Sequence, residues 1–239
     1  METYKQNFAK LLADTEALFF DDNLVLKDGR PTPYFVNMGK FKSGKLNNQL
    51  CSYYVEMLVE KGIIDNIDIV FGPSYKGSSI ACGMVNVLWT KYNIDKLYEY
   101  DRKEAKTHGD ASGKKKMFVN NTFFDNCRVY IVDDVATSMA TKVESIEKIQ
   151  NDAEDNNINI IVAGVGIGID REQTNVEGQN AIANFVEKTS IPVHSVAGIN
   201  EVVQYLYEEK IPVLIKGEKQ PIDEEVKKRF DDYIETYGV

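Results

Sequence analysis

The chain has 239 residues, 43% of them hydrophobic, with 28 Lys and Arg against 37 Asp and Glu, so its formal net charge is −9. That length sustains one substantial core and is short for two full domains, while the acidity argues against a general nucleic-acid surface. No stretch approaches the roughly 20 apolar residues that cross a bilayer, residues 1–10 show no secretory pattern, and Cys51, Cys82 and Cys127 are spaced too widely for a zinc site, so a cytoplasmic protein with buried thiols is expected.

In chain order, apolar periodicity predicts helices over 3–20 and 46–61 and short strands over 23–26 and 34–37. Strand and helix then alternate from residue 67, which implies an α/β fold whose parallel sheet is covered on both faces. The strands fall at 67–71, 129–132, 160–165 and 191–196, and the helices at 78–92, 142–150, 176–188, 199–209 and 222–236. Residues 117–124, with Asn120-Asn121 in the middle, read as a hairpin beside a basic stretch. No internal repeat or low-complexity linker interrupts the chain.

The segment Val129 to Thr141 is the richest in chemistry. A β-branched and aromatic run, Val129 to Val132, ends in Asp133-Asp134, and a loop of small and hydroxyl residues leads into a helix. Ligands of open α/β sheets bind outside the carboxyl ends of strands, and a helix amino end favours an anion. Carboxylates would meet sugar hydroxyls there, and loop amides a phosphate. Plain turn and capping chemistry by Thr137, Ser138 and Thr141 is the alternative.

Phe71 to Gly77 forms a second strand–loop–helix junction, in which Gly72, Pro73 and Gly77 let the chain turn sharply and Lys76 stands near a helix amino end. Between residues 102 and 116 there are six Lys and Arg against two Asp and Glu, with His108 among them and glycines at 109 and 113. A basic island in an acidic chain implies an acidic ligand, although a solvated charged loop has the same composition. The extended segment Leu26 to Asn37 carries Tyr34 and Phe35, either of which could stack on a planar base or belong to the core.

Taken together, Leu26-Lys27-x-Gly29-Arg30, Pro33-Tyr34-Phe35-x-Asn37, Gly72-Pro73-x-Tyr75-Lys76-Gly77, Arg102-Lys103-Glu104-Ala105-Lys106-x-His108-Gly109 and Ile169-Asp170-Arg171-Glu172-Gln173 accompany the acid pair in an order and at separations that resemble the orotate phosphoribosyltransferases. Two positions depart from the family pattern. Met139 stands where such phosphate loops carry a glycine, and a β-carbon in a left-handed conformation costs about 1–2 kcal/mol. Val36 replaces the second aromatic found beside Phe35, which narrows the stacking surface.

The resemblance implies the type I phosphoribosyltransferase fold in one domain spanning 1–239. That fold has a central, mostly parallel sheet flanked by helices, a small N-terminal hood within 1–62 and a basic mobile loop over 102–116. It implies transfer of a phosphoribosyl group from 5-phosphoribosyl 1-diphosphate (PRPP) to orotate in pyrimidine synthesis, with Mg2+ as cofactor, in a homodimer with shared sites, and the length of the chain leaves no room for a fused decarboxylase. Lys106, Asp133 and Asp134 are the implied catalytic residues. PRPP would be bound by Lys27, Tyr75, Lys76, Arg102, Lys103, Lys106, His108, Asp133, Asp134, Val135, Ala136, Thr137, Ser138, Met139, Ala140 and Thr141. Orotate would be bound by Lys27, Phe35, Val36, Thr137 and Arg171, with the arginine on its carboxylate. The metal would ride on the diphosphate and ribose hydroxyls and reach Asp133 and Asp134 through water. His108 would donate to diphosphate or face solvent. A PRPP-sensing regulator would lack any need for the basic loop, a purine transferase would have no use for Arg171, and a non-catalytic partner of PRPP synthesis would not need Asp133, Asp134 and Lys106.

Overall fold

A computed structural model describes residues 1–106, 116–136 and 139–239, apart from the side chains of 105, 106, 116 and 136. Helix α1 spans Thr3–Asp14 and is followed by strands β1 Leu18–Val25 and β2 Pro31–Val36, then α2 Gly44–Glu60, β3 Ile69–Phe71 and α3 Lys76–Tyr92. Three strands come next, β4 Leu97–Glu99, β5 Asp101–Lys106 and β6 Lys116–Phe118, ahead of β7 Cys127–Ala136 and α4 Ala140–Asn156. The chain closes with β8 Ile160–Asp170, α5 Ala181–Thr189, β9 Val193–Gly198, α6 Ile199–Glu208, the short strands β10 Val213–Ile215 and β11 Glu218–Gln220, and α7 Glu224–Tyr237.

Among the described residues the central sheet has the order β4-β3-β7-β8-β9, with every neighbouring pair parallel. Its centre, β7, alternates between two buried clusters, as the period of two in a strand requires. Val129 and Ile131 pack with Ile146 and Ile149 of α4, whereas Tyr130 and Val132 pack with the α2 and α3 side. The glycines of β8 make room for one of these rings. A β-carbon on Gly164 or Gly166 would come within 2.8 Å of Tyr130.

A second sheet, β11-β10-β1-β2, joins β1 to β10 in parallel and to β2 in antiparallel fashion. This second sheet therefore draws on residues near both ends of the chain.

Three expectations need correction. The helix expected over 3–20 ends at Asp14, because Glu16 takes a left-handed conformation (φ 57°) and the amides of Glu16 and Ala17 return to Ala13 and Leu12. This is Schellman geometry built on a residue other than glycine, so nothing in the sequence marks it. The strands β4, β5, β10 and β11 escape notice because β5 is mostly charged and the others have three residues each. The hairpin expected within 117–124 lies instead between β5 and β6. Residues 119–122 wrap the buried Glu99 carboxylate, which accepts from the amides of Tyr100, Val119, Asn120 and Thr122 at 2.8–3.1 Å and from the Thr122 hydroxyl at 3.2 Å.

Candidate active site

Asp133 and Asp134 are consecutive on a strand, so their side chains must leave opposite faces of the sheet. Each meets a lysine on its own side. Asp133 faces α4, where Lys142 Nζ lies 2.5 Å from Oδ2 and 3.3 Å from the Val135 carbonyl oxygen. Asp134 faces α3, where Lys76 Nζ lies 2.7 Å from its Oδ2. Exposure separates the two pairs, since the Lys142 side chain is 3% exposed and that of Lys76 58%. The strand end is fixed from beneath by the buried Tyr54, whose hydroxyl donates to the Asp133 carbonyl at 2.7 Å.

Between the end of β7, the start of α4 and the β1–β2 turn lies a cleft of about 510 Å3 lined by Lys27, Asp28, Asp133, Asp134, Val135, Met139, Thr141, Lys142, Asn175 and Val176. Lys27 is delivered to it by a turn in which the Leu26 and Arg30 backbones pair and Gly29 adopts φ 88°. Arg30 pins that turn across the cleft mouth, holding Asp28 through Nε and Nη2 and donating through Nη1 to the Thr174 carbonyl at 2.8 Å.

Met139 adopts the left-handed conformation. It sits at φ 54°, ψ −2° immediately before α4, and its side chain is 3% exposed in the cluster beneath the sheet. Burying a Met side chain contributes about 1.5–3 kcal/mol, enough to offset the left-handed cost. Ala140 opens α4 and Thr141 faces the cleft, while Ala136 closes β7. Thr137 and Ser138 lie outside the described residues.

The junction after β3 crosses itself. A β-carbon on Gly72 would collide with the Gly77 carbonyl, and one on Gly77 would reach the Val132 carbonyl oxygen at 2.8 Å, so both positions require glycine for close approach. The Ser74–Tyr75 peptide bond is cis. Asp101, 3% exposed at the start of β5, ties this loop to α4. It accepts from the Ser74 amide at 2.7 Å and from Lys148 Nζ at 2.6 Å, and its carbonyl accepts from the Ser74 hydroxyl at 2.5 Å. Lys103 on β5 lies over the exposed Tyr75 ring at 5.4 Å, and Arg102 has a buried Nε without a hydrogen-bond partner among the described residues. Lys106 ends β5, with its side chain outside the described set, and His108 lies outside the described residues altogether.

Toward the hood, Tyr34 is entirely core, in contact with Phe20, Phe230 and Tyr233, while its neighbour Phe35 is 36% exposed beside Phe19. The Val36 side chain is buried, which leaves its backbone as the part able to meet a ligand. Arg171 follows the end of β8 and is 4% exposed. It stacks on Tyr34 with its guanidinium carbon 4.3 Å from the ring centroid, and it has no carboxylate partner among the described residues. Arg171 and Phe35 stand outside the lining of the acid-pair cleft.

Sequence reasoning missed Lys142, Asp28, Asn175, Val176 and the Asp101 link. For Lys142 a signal existed: a cation in the first turn of a helix opposes the dipole and calls for an internal anion.

No family model matches the chain. It is 33% identical over 239 residues to the orotate phosphoribosyltransferase of Clostridium acetobutylicum, with 100% of both chains covered. It is also 33% identical over 243 residues to that of Bifidobacterium longum, with 99% of each covered. Among solved structures it is similar to the orotate phosphoribosyltransferase of Francisella tularensis, with 29% identity and a TM-score of 0.77 over 98% of this chain and 100% of that one. The Mycobacterium tuberculosis orotate phosphoribosyltransferase determined in complex with PRPP shares the fold at 15% identity, with a TM-score of 0.57 over 83% of this chain and 98% of that one. The strand-end acid pair, the crossed loop after β3 and full-length identity above 30% lead to one conclusion: the chain belongs to the orotate phosphoribosyltransferase family.

Proposed function

We propose that the cleft at the end of β7 binds PRPP and that the protein, as one catalytic domain acting in the cytoplasm, transfers its phosphoribosyl group to N1 of orotate with release of diphosphate. The observation that carries this choice of base is Arg171. A buried guanidinium without a carboxylate partner among the described residues asks for an anionic ligand, which orotate supplies and a purine does not. Two parallel hydrogen bonds to a carboxylate suit a guanidinium and not an ammonium.

As the bond to diphosphate lengthens, positive charge builds on the ribose and negative charge on the departing oxygens, so the protein's task is positional and electrostatic. Lys76 is exposed and leaves Asp134 at small cost, because a surface ion pair contributes about 0–1 kcal/mol. It turns to the diphosphate and frees the Asp134 carboxylate for the ribose hydroxyls, while Asp133 remains paired with Lys142. The loop amides from Val135 to Thr141, with the hydroxyls of Thr137, Ser138 and Thr141, hold the 5-phosphate at the start of α4. Tyr75, Arg102, Lys103, Lys106 and His108 enclose the diphosphate, and Lys106 acts mainly in the transition state. Lys27 serves both ligands from the β1–β2 turn, and Phe35 presents its exposed ring to the base, with the Val36 backbone beside it.

The donor set fits a divalent metal carried on the substrate. Among the described residues no cluster of three or more His, Cys, Asp or Glu could cage an ion, and both strand-end carboxylates already face lysines. Asp133 and Asp134 would touch Mg2+ through water, and the ion would neutralise diphosphate charge.

The test is direct. Purified protein should consume orotate, followed by its absorbance, only when PRPP and Mg2+ are both present. Faster turnover of adenine or hypoxanthine than of orotate would overturn the reading.

A further inference from the structure

Arg171 is held by uncharged groups. Its Nε donates to Gln173 Oε1 at 3.1 Å and its Nη2 to the buried Thr32 hydroxyl oxygen at 3.3 Å, while Nη1 has no protein partner among the described residues. The same Gln173 oxygen accepts from the Tyr233 hydroxyl of α7 at 2.8 Å. An arginine only donates, so the amide must present its oxygen to both neighbours. Gln173 Nε2 is thereby turned away and is buried without a partner among the described residues, as is the Tyr34 hydroxyl. Leaving a buried amide N–H unpaired is costly, and this arrangement keeps that cost where a carboxylate would satisfy Arg171 more strongly. A carboxylate there would also cancel the charge of Arg171, whereas an amide oxygen orients the guanidinium and leaves its charge for a ligand.

We propose that Gln173 and Tyr233 are positioning residues for base recognition, with the C-terminal helix α7 setting the angle at which Arg171 meets the carboxylate of the base. This rests on the assignment of that carboxylate to Arg171. Tyr233 also packs edge-on against Tyr34 at 5.9 Å and at a tilt against Tyr237 at 5.1 Å, so its ring is structural and its hydroxyl is the part that acts on Arg171.

The experiment uses steady-state kinetics on the full-length protein, with thermal melting alongside. Tyr233→Phe removes only the oxygen and should raise KM for orotate about three- to tenfold, leaving KM for PRPP unchanged, the scale of one lost hydrogen bond. Gln173→Glu keeps the acceptor geometry and adds a charge, so it should raise KM for orotate more than tenfold while the melting temperature holds or rises. A purely structural role would make binding and melting temperature fall together. In an Arg171→Lys background, Tyr233→Phe should add no further loss. If Arg171→Lys itself leaves KM for orotate at the wild-type value, the underlying carboxylate assignment fails. If Arg171→Lys impairs orotate use but Tyr233→Phe and Gln173→Glu do not, only the positioning role is overturned.

Discussion

The two neighbouring acids of β7 carry the same charge and differ in the freedom of their countercharges. Lys142 is enclosed, and breaking a buried pair by removing one member costs about 3–5 kcal/mol because the other charge is left stranded. Lys76 reaches its carboxylate from solvent, where such a pair contributes about 0–1 kcal/mol. Lys142→Met should therefore lower stability by about 3 kcal/mol in urea denaturation, and adding Asp133→Asn should recover part of that loss because the two residues are coupled. Lys76→Met should leave the free energy of unfolding within about 0.5 kcal/mol of wild type and weaken PRPP binding measured by calorimetry. Equal destabilisation by the two lysine substitutions would refute the distinction.

At the scale of elements, acidic side chains staple segments that the backbone ladders leave loose. Glu99 gathers the turn after β6, and Asp101 joins the crossed loop, β5 and α4. Asp68 joins the start of β3 to β7 by accepting from the Arg128 amide at 2.8 Å and from its guanidinium at 2.9 and 2.7 Å. These bonds hold the Asp68 carboxyl down at about 2. An unfolded aspartate titrates near 3.9, so the stability it contributes is complete above about pH 4 and is lost as pH falls through about 2. Asp68→Asn should accordingly lower stability at pH 6, and the gap to wild type should shrink steadily between pH 4 and pH 2 in acid denaturation. A gap that does not change with pH would mean the carboxylate contributes shape alone. Such staples are hard to read in a sequence, since Glu99 and Asp68 look like ordinary surface acids until distant segments are brought to them.

For the whole molecule, we propose a homodimer in which the basic segment 102–116 of one subunit closes over the site of the other. Mixing inactive Lys106→Ala protein with inactive Asp134→Asn protein under subunit exchange should restore part of the activity through hybrid dimers. No recovery, with exchange confirmed, would exclude sharing. By itself the sequence determined the α/β alternation, the parallel centre and the placing of Asp133-Asp134 near the carboxyl end of a strand, although β7 runs on to Ala136, because periodicity, strand length and glycine-rich junctions are local properties of the chain. The tertiary structure decided what local pattern cannot carry. It paired β1 with β10 across most of the chain, brought Lys142 and Lys76 to opposite faces of β7, buried Tyr34 while leaving Phe35 exposed, and held Arg171 between Gln173 and β2. Each of these depends on which distant groups share a small volume from which water is excluded, and only the packed molecule defines that volume.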